Sequence, residues 1–366
     1  MSENMSLPPD SLAAGAEVAQ NRGPNLRIMH SRNLPQWLAE QRLSLAFTTY
    51  HTSRLFFVGL DGRGRVAFHA ASFPRAMGLW VSPDTQTLYL STLAQLVRLA
   101  NNADASPEPG APDRFYVPRV CYTTGDLDIH DVSCDSGGRP VFVNSLHSCL
   151  ATVSETQSFV PLWKPPFISR LAAEDRCHLN GLAMENGAPK YVTCVAQTDA
   201  NDGWRDHRRS GGVVLDVASG EPVVRGLSMP HSPRIHQGKL WVLDSGNGYL
   251  GYVDTAAGRF ERVTFCAGYP RGLAFMGGYA VVAISLSRHN VNFSGLALDE
   301  ELAKRNVQAR CGIQVIDLKS GDIVHGVRID GAIRELYEVS VLPGVRQADT
   351  AGFDRRDIPK LLSFRA

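Results

Sequence analysis

The chain has 366 residues, which is enough for one large β domain or for two average domains. Its 37 basic and 36 acidic side chains nearly cancel, and no segment carries a long run of one sign. This balance argues against nucleic acid and anionic membrane surfaces as main partners.

The first residues lack both the basic start and the unbroken apolar core of a secretory signal. No window approaches the roughly 18 to 20 consecutive apolar residues that a membrane-spanning helix needs. The seven cysteines form no CxxC pair, and their odd number leaves at least one unpaired, which fits a reducing compartment. These features predict a cytoplasmic protein without a membrane partner.

In chain order, residues 1–33 are polar and rich in proline, glycine and serine, and we expect a disordered lead-in. A short helix is predicted within residues 32–42, and residues 45–50 and 55–59 predict two strands around a turn. Further helices are expected only within 164–175 and 296–308. The remaining chain consists of short apolar stretches separated by turn residues, which indicates β-structure.

A repeat in the turns gives the main evidence for the fold. Residues 214–220, 252–258 and 315–321 share an apolar pair, an aspartate, three further residues and a glycine. Each predicts a strand that ends in an aspartate-initiated turn, in which glycine takes a positive φ. Other strands open near residues 78, 131, 181, 233, 272 and 338, which gives six units of about 50 residues each.

Units of four short strands at this spacing are typical of a β-propeller. We therefore predict an all-β fold, a six-bladed β-propeller over residues 34–350 with a few short helices in insertions and a C-terminal tail over 351–366. The last unit is short, so the strands within 44–60 are expected to complete it and to close the ring. A TIM barrel, which needs a helix after every strand, and two separate β domains are the alternatives.

Three histidines, His130, His178 and His231, open three successive inner strands of the predicted propeller. Imidazoles that converge on one channel axis suit a divalent transition metal. Glu338 would be a fourth ligand or a general base. The alternative for each histidine is a hydrogen bond from the ring to a neighbouring backbone carbonyl.

Acidic and phenolic side chains lie close to these histidines in the sequence. Asp131 and Tyr337 are candidate catalytic residues together with Glu338. Asp131, Glu174 and Asp175 could also hold the imidazole rings through hydrogen bonds. We therefore expect both a reacting group and its supporting carboxylates at the channel mouth.

Arg234 and Arg271 are predicted to clamp a carboxylate or phosphate of a substrate, because guanidinium groups bind such anions in a bidentate manner. Salt bridges to Glu338 or Asp131 are the alternative. Asn180 is a further candidate for substrate binding. Additional polar turns on the same face contain Asn144 with His147, and residues 197–199, 245–247 and 287–289.

The loop 197–209 is longer than a hairpin needs, and long ordered loops usually serve function. Trp204 could lie over a bound ring or sugar, with Arg205 beside it. The alternative is a tryptophan that plugs the top of the propeller. A second insertion, 290–310, contains a predicted helix within 296–306 and could form the other half of a lid.

The phrases EDRCHLNG (174–181), GLSMPHSPR (226–234), KLWVLDSGNGYLGYVD (239–254) and YPRGLAF (269–275) resemble a family of conserved, uncharacterised bacterial proteins. The architecture is similar to six-bladed propellers of the gluconolactonase and NHL-repeat type. The resemblance to lactonases implies a divalent cation held on the axis by a Glu, an Asn and an Asp from different blades. Asn180 suits that pattern, whereas Met77 stands where the first blade would supply a carboxylate, and the histidines favour a softer metal.

Two functional hypotheses follow. The first is an enzyme that acts on a small anionic molecule, with a histidine-bound divalent metal as Lewis acid or as activator of water. Hydrolysis, elimination and isomerisation are all compatible with it. The second is a propeller without catalytic activity that binds a peptide or glycan on the same face through Trp204 and the arginines.

Overall fold

The structure, a computed structural model, describes the backbone of residues 17–19 and all atoms of residues 26–103, 110–286 and 295–363. The first half of this part contains β1 (Glu17–Ala19), β2 (Leu26–His30), α1 (Leu34–Gln41), β3 (Leu43–Thr49), β4 (Arg54–Leu60), β5 (Val66–Ser72), β6 (Leu79–Val81), β7 (Thr87–Ser91), β8 (Gln95–Asn101), β9 (Arg114–Thr123), β10 (Ile129–Cys134), β11 (Pro140–Asn144), β12 (Cys149–Thr152), β13 (Val160–Trp163), β14 (Leu179–Glu185) and β15 (Ala188–Cys194).

The second half begins with a 3₁₀ helix and ends with another. Its elements are the 3₁₀ helix Gly203–His207, β16 (Gly212–Asp216), β17 (Pro222–Leu227), β18 (Pro230–His236), β19 (Lys239–Asp244), β20 (Tyr249–Asp254), β21 (Arg259–Phe265), β22 (Tyr269–Met276), β23 (Tyr279–Ser285), α2 (Ala297–Lys304), β24 (Gly312–Asp317), β25 (Ile323–Gly331), β26 (Val339–Pro343), β27 (Ala348–Thr350) and the 3₁₀ helix Ile358–Leu361. None of the helices in the described residues is long and apolar enough to cross a membrane.

The described strands form six sheets, which are the six blades of a propeller and confirm the predicted fold. Blade 1 is β6 to β9 with β27, blade 2 is β10 to β13, blade 3 is β14 to β17, and blade 4 is β18 to β21. Blade 5 is β22 to β25 with β2 and β1 on its outer edge, and blade 6 is β26 followed by β3, β4 and β5. The first strands of neighbouring blades contact each other in a complete ring around the channel.

Blade 6 joins the two ends of the described chain, as the sequence predicted. Its inner strand β26 comes from the C-terminal part and pairs antiparallel with β3, with Val339 opposite Phe47. Thr48, which is fully buried, donates from Oγ1 to the carbonyl of Met77 in blade 1 at 2.6 Å and accepts from the amide of Glu338 at 3.0 Å. Closure therefore rests on both a strand ladder and a buried side chain.

The hydrophobic core lies between the faces of adjacent blades. In one cluster, Val143 and Leu150 of blade 2 pack against Leu182, Val192 and other apolar residues of blade 3. Strands buried on both faces lose the alternation of apolar and polar residues, as in β3, where every residue is buried. Burial of each such aliphatic or aromatic side chain contributes about 1.5 to 3 kcal/mol to stability.

The aspartate turns of the repeat connect the third and fourth strands of three blades. The carboxylates of Asp216, Asp254 and Asp317 accept hydrogen bonds from backbone amides two or three residues further on, at 2.8 to 2.9 Å. The following glycines have positive φ, for example 73° at Gly220. These contacts are those of an aspartate-initiated turn and confirm the prediction.

Two expectations are corrected by the structure. Within the predicted disordered lead-in, Leu26–His30 forms β2 and pairs with β25. Residues 164–175 form turns rather than a helix, since the pair Pro165 and Pro166 favours a turn, which the Ile168 amide closes on the Pro165 carbonyl. The helices predicted within 32–42 and 296–306 are present as α1 and α2.

Candidate functional site

The inner strands of three blades open with the same backbone conformation. Asp128, His178 and Met229 directly precede β10, β14 and β18 and have φ of 52°, 48° and 48°. Two residues later, His130 and His231 occupy equivalent positions in blades 2 and 4, and Asn180 holds that position in blade 3. His178 lies two positions earlier, so the three histidines, which were predicted at the openings of successive inner strands, do not occupy equivalent positions.

A β-bulge follows in each of the inner strands β10, β14, β18 and β22. A bulge interrupts the ladder and leaves a backbone group for other partners. In two blades a backbone amide near the bulge donates a hydrogen bond to a carboxylate of another blade. Asp131 Oδ2 accepts from the Leu182 amide at 3.0 Å, and Glu338 Oε1 accepts from the Leu273 amide at 3.3 Å. These carboxylates therefore join blade 2 to blade 3 and blade 6 to blade 5.

Asp131, Arg234 and Glu338 form a cluster that we call the axial ion cluster. Arg234 Nη1 donates to Asp131 Oδ2 at 2.8 Å, and Arg234 Nη2 donates to Glu338 Oε2 at 3.3 Å. The three residues belong to blades 2, 4 and 6. Burial raises the pKa of Glu338 to about 8, and the neighbouring Arg234 charge opposes that shift.

The axial ion cluster changes the interpretation of three predicted site residues. Arg234 Nη1 also donates to the carbonyls of Leu182 and Pro233, so its guanidinium bonds protein groups on several sides. None of the three residues of this cluster lines the pocket at the channel mouth. The structure thus pairs Arg234 with the two carboxylates, which was the alternative to a substrate clamp.

A pocket of about 150 Å³, which we call the mouth pocket, lies where the inner strands open. All six blades or their connecting loops contribute to its lining: Tyr50, Met77, Asp128, His130, Asp175, His178, Trp204, Arg205, Met229, Arg271 and Tyr337. A cavity of this volume accommodates a molecule about the size of benzene. The mouth pocket is therefore suited to a single ring or a short chain.

His130 and His231 are held in the same way. His130 Nδ1 lies 2.9 Å from the Asp128 carbonyl and 2.8 Å from Ser145 Oγ. His231 Nδ1 lies 2.8 Å from the Met229 carbonyl and is also close to a serine hydroxyl. Because a carbonyl only accepts, Nδ1 carries the proton, and burial lowers the pKa of both histidines well below the usual value. Both rings are thus neutral at pH 7, with the lone pair on Nε2.

His178 instead has a carboxylate partner. Its Nδ1 lies 2.8 Å from Asp175 Oδ2, which confirms that Asp175 holds an imidazole ring. The same oxygen accepts from Trp204 Nε1 at 2.8 Å. The ring of His178 stacks on Trp204 at 4.2 Å between centroids and meets His130 edge-on at 4.8 Å. Two imidazoles and one carboxylate are thus brought together on one side of the mouth pocket.

Arg271 contributes a buried cation to the mouth pocket. Its guanidinium lies 3.7 Å from the centroid of the Tyr337 ring, and Nη1 donates to Glu335 at 3.3 Å. Arg271 is only 6% exposed, and its Nε has no hydrogen-bond partner among the described residues. An orphaned buried donor of this kind is costly unless a ligand or water satisfies it.

The remaining predicted residues have other surroundings. Asn180 does not line the mouth pocket, and its Oδ1 accepts from Thr193 Oγ1 at 2.6 Å. Glu174 pairs with Arg176 rather than with a histidine. Arg205 stacks on Trp204 at 4.5 Å. The predicted polar turn 287–289 lies outside the described residues.

Sequence reasoning missed several residues of the mouth pocket. Tyr50 follows β3 and reaches the pocket only because β3 belongs to the blade that closes the ring. Asp128 and Met229 precede inner strands by one residue. Asp128 lies two positions before His130, and Met229 lies two positions before His231. This shared spacing is the one signal in the sequence that could have identified them.

The predicted metal ligands do not form one donor set. His130 and His178 line the mouth pocket, whereas His231 does not. Among the residues with described coordinates, no three His, Cys, Asp or Glu side chains are placed to hold a metal ion together. Among these described residues the predicted set of three histidine ligands is therefore not assembled.

Three solved structures are similar to the chain in backbone. A chain in the crystal structure of a nidogen/laminin complex is 14% identical, with a TM-score of 0.51 over 82% of the present chain and 99% of that chain. A catalytically inactive virginiamycin B lyase from Staphylococcus aureus with quinupristin is 9% identical, with a TM-score of 0.40 over 83% and 99% of the two chains. Luciferin-regenerating enzyme is 12% identical, with a TM-score of 0.41 over 83% and 94%.

No curated protein matches the chain in sequence. At this low identity, the similarity to the nidogen/laminin chain shows a shared fold alone. One family model, described as a domain of unknown function (DUF4915), matches residues 32–350, which include all six inner strands and the whole mouth pocket. The chain therefore belongs to the DUF4915 family.

Proposed function

We propose that the mouth pocket binds a small anionic molecule and that His178, oriented by Asp175, moves a proton on it. The hydrogen bond of 2.8 Å between His178 Nδ1 and Asp175 Oδ2 is the observation that carries this proposal. An ionised carboxylate only accepts, so Nδ1 is protonated, and the neutral form of the ring carries its lone pair at Nε2. An imidazole held in one tautomer by a carboxylate is the arrangement of an oriented general base.

Arg271 supports an anionic substrate. Its Nε donor is buried and unpaired among the described residues, and its guanidinium is fixed over the ring of Tyr337. A carboxylate or carbonyl oxygen of a ligand would satisfy this donor and would be stabilised by the positive charge. The same donor would stabilise negative charge that develops on that oxygen during proton removal.

One proton transfer fits these groups. His178 Nε2 would take a proton from the carbon beside the anionic group, and the electrons of that C–H bond would move toward the oxygen near Arg271. Return of the proton to another carbon gives isomerisation, whereas departure of a neighbouring group gives elimination. If the same base instead removed a proton from water, the water oxygen would attack a carbonyl carbon, and the leaving group would depart with that proton, which is hydrolysis. The side chains present support all three, and the substrate selects among them.

The side chain of Trp204 makes the alternative of a peptide- or glycan-binding propeller less favourable. The residue is only 2% exposed, and its ring contacts His178 and Arg205. A stacking platform for a sugar or peptide needs a free aromatic face. The volume of the mouth pocket also favours a small molecule.

The test starts with a panel of hydroxy, keto and unsaturated carboxylic acids of three to eight carbons. Each acid is screened for thermal stabilisation of the protein and is then incubated with it in D₂O, where proton NMR detects deuterium incorporation or new products. Wild-type protein is expected to turn over at least one acid that stabilises it, and H178Q and D175N to lose about 10² to 10⁴-fold in rate. Equal rates in H178Q and wild type would refute the role of His178.

Dependence on a divalent transition metal, which the sequence predicted, is tested in the same assay. A proton transfer by side chains alone is expected to survive exhaustive dialysis against EDTA. Loss of turnover on chelation, with recovery on addition of Zn²⁺ or Mn²⁺, would replace the present mechanism with a metal-dependent one. Retention of bound metal in H130Q and H178Q would then show that other residues are the ligands.

A further inference from the structure

We propose that Trp204 is a positioning residue that fixes Asp175 against His178, so that docking of the loop 197–209 assembles the base. This inference rests on the proposed function for its catalytic meaning. Trp204 belongs to the 3₁₀ helix Gly203–His207 within that loop, whereas Asp175 and His178 precede β14. The general base is thus built from two segments that are separate in sequence.

The carboxylate of Asp175 depends on Trp204 for its orientation. Both of its described side-chain donors, His178 Nδ1 and Trp204 Nε1, bond the same oxygen, Oδ2, at 2.8 Å. The other oxygen, Oδ1, is buried and has no hydrogen-bond partner among the described residues. Without the indole N–H, the carboxylate would keep only the bond to His178 and could rotate about its terminal torsion.

The indole ring also fixes the imidazole. The two rings stack with an interplanar angle of 27°, and Trp204 is almost completely buried. On the indole, the Arg205 guanidinium adds a cation–π contact at 4.5 Å and is itself held by Asp202 at 2.9 Å. One tryptophan therefore restrains both members of the dyad, the carboxylate by a hydrogen bond and the imidazole by stacking.

The loop is fastened to the residues on either side of Asp175. The Asp202 amide donates to the Glu174 carbonyl at 2.9 Å. Arg176, whose side chain is 6% exposed, bonds Asp199 of the loop at 2.5 Å and Glu174 at 2.7 Å. Detachment of the loop would break the contacts of Asp202 and Asp199 and the bond from Trp204 to Asp175 together, so loop docking and base assembly are a single event.

The backbone of the same segment requires such support. Asp175 and His178 have φ of 40° and 48°, in the left-handed region that is unfavourable for residues other than glycine. Conformations of this kind persist where surrounding contacts determine them, and they concentrate at functional sites. The loop 197–209 supports this segment on both sides of Asp175, together with the Leu146 carbonyl, which accepts from the Glu174 and Asp175 amides at 3.1 and 2.9 Å.

The experiment compares W204F with wild type by ¹⁵N NMR of the histidine rings, and assigns the His178 signals by their absence in H178Q. Phenylalanine keeps a ring beside the imidazole and removes the N–H. Wild-type His178 is expected in the Nδ1–H tautomer, and W204F is expected to raise the share of the Nε2–H tautomer about fivefold, the change that one ordinary hydrogen bond makes. D175N is expected to shift the equilibrium in the same direction.

W241F is the matched control, because Trp241 is equally buried and also donates from Nε1, to the His236 carbonyl, but packs in a core cluster of blades 4 and 5. It should leave the His178 signals unchanged, and circular dichroism should show that both variants are folded. An unchanged tautomer ratio in W204F, with D175N shifted, would overturn the inference. A shifted ratio in W204F together with full turnover by H178Q would leave the positioning role intact and refute the proposed function.

Discussion

Arg234 Nη1 donates to Asp131 Oδ2 at 2.8 Å, although the two residues are 103 positions apart in the sequence. Glu338, which comes from the strand that closes the ring, accepts from the same guanidinium. Each carboxylate also takes a backbone amide of a bulged inner strand. The axial ion cluster thus fixes the inner strands relative to each other. Its charges are paired within the protein, whereas Arg271 lines the mouth pocket.

R234M is expected to lower the free energy of unfolding by about 3 kcal/mol, because it leaves the buried carboxylate of Asp131 without its cation and Glu338 without a hydrogen-bond donor. Arg328 provides the control, since it pairs with Asp330 at 3.0 Å where both side chains are more than 40% exposed. R328M should cost less than about 1 kcal/mol. Urea unfolding of both variants measures the difference, and equal losses would contradict a structural role of the cluster.

The pKa of Glu338 predicts a dependence of stability on pH. Burial raises the folded-state pKa from the ordinary 4.5 to about 8, so the folded protein binds the proton more tightly than the unfolded chain. The contribution is fully present below pH 4.5, decreases as pH rises through 8, and changes no further above it. E338Q removes this dependence, so wild type should lose stability relative to E338Q between pH 5 and 8.5. The measurement is the difference between their unfolding midpoints, in which other titrating groups cancel.

T48V tests the closure of the ring. Valine has nearly the shape of threonine, but it removes the hydroxyl that bonds the Met77 carbonyl and the Glu338 amide. Two buried backbone groups would lose their partner, which costs about 1 to 3 kcal/mol each. T123V, at an exposed position at the end of β9, is the control and should change stability by less than about 0.5 kcal/mol. Similar unfolding curves for T48V and wild type would show that the ladder of β26 and β3 alone closes the propeller.

R271K tests the anion site. Lysine keeps the positive charge but loses both the Nε donor and the planar group that stacks on Tyr337. For a carboxylic acid that stabilises the wild-type protein, the dissociation constant is expected to rise about tenfold. R259K, on the exposed side of β21, should bind as the wild type does. Isothermal titration calorimetry measures both, and unchanged affinity in R271K would place the anion elsewhere.

The fold was predictable because its signals are local. The aspartate turns lie within seven residues of sequence, and the six inner strands open at the predicted places, as in β14 at Leu179 and β22 at Tyr269. Ring closure followed from the shortage of strands in the last unit. The strand β2 was missed because its five residues are flanked by polar sequence, and it is a strand through its pairing with β25 and β1.

The candidate site was predictable only in part, because a shift of one or two residues at a strand opening changes which side chain faces the channel. His178 and His231 both lie at the opening of an inner strand, yet the backbone conformation places Asn180, not His178, at the position of His231. The partners of Arg234 are more than 100 residues away, so sequence offered the ion pair and the substrate clamp equally. By contrast, the contact of Asp175 with His178 spans three residues and was foreseen.

The inner strands of blades 3 and 4 lie in close contact at Gly181. A Cβ at Gly181 would lie 2.3 Å from Pro233 Cδ and 2.6 Å from Thr193 Oγ1, the group that bonds Asn180. G181A is therefore expected to displace β18 or to break the bond between Thr193 and Asn180, and to cost about 1 to 3 kcal/mol. Gly62 has no atom within 4 Å of its Cβ position and no positive φ, so G62A should be neutral or slightly stabilising. If thermal unfolding shows both alanine variants to be alike, the inner strands are not packed as closely as these distances require.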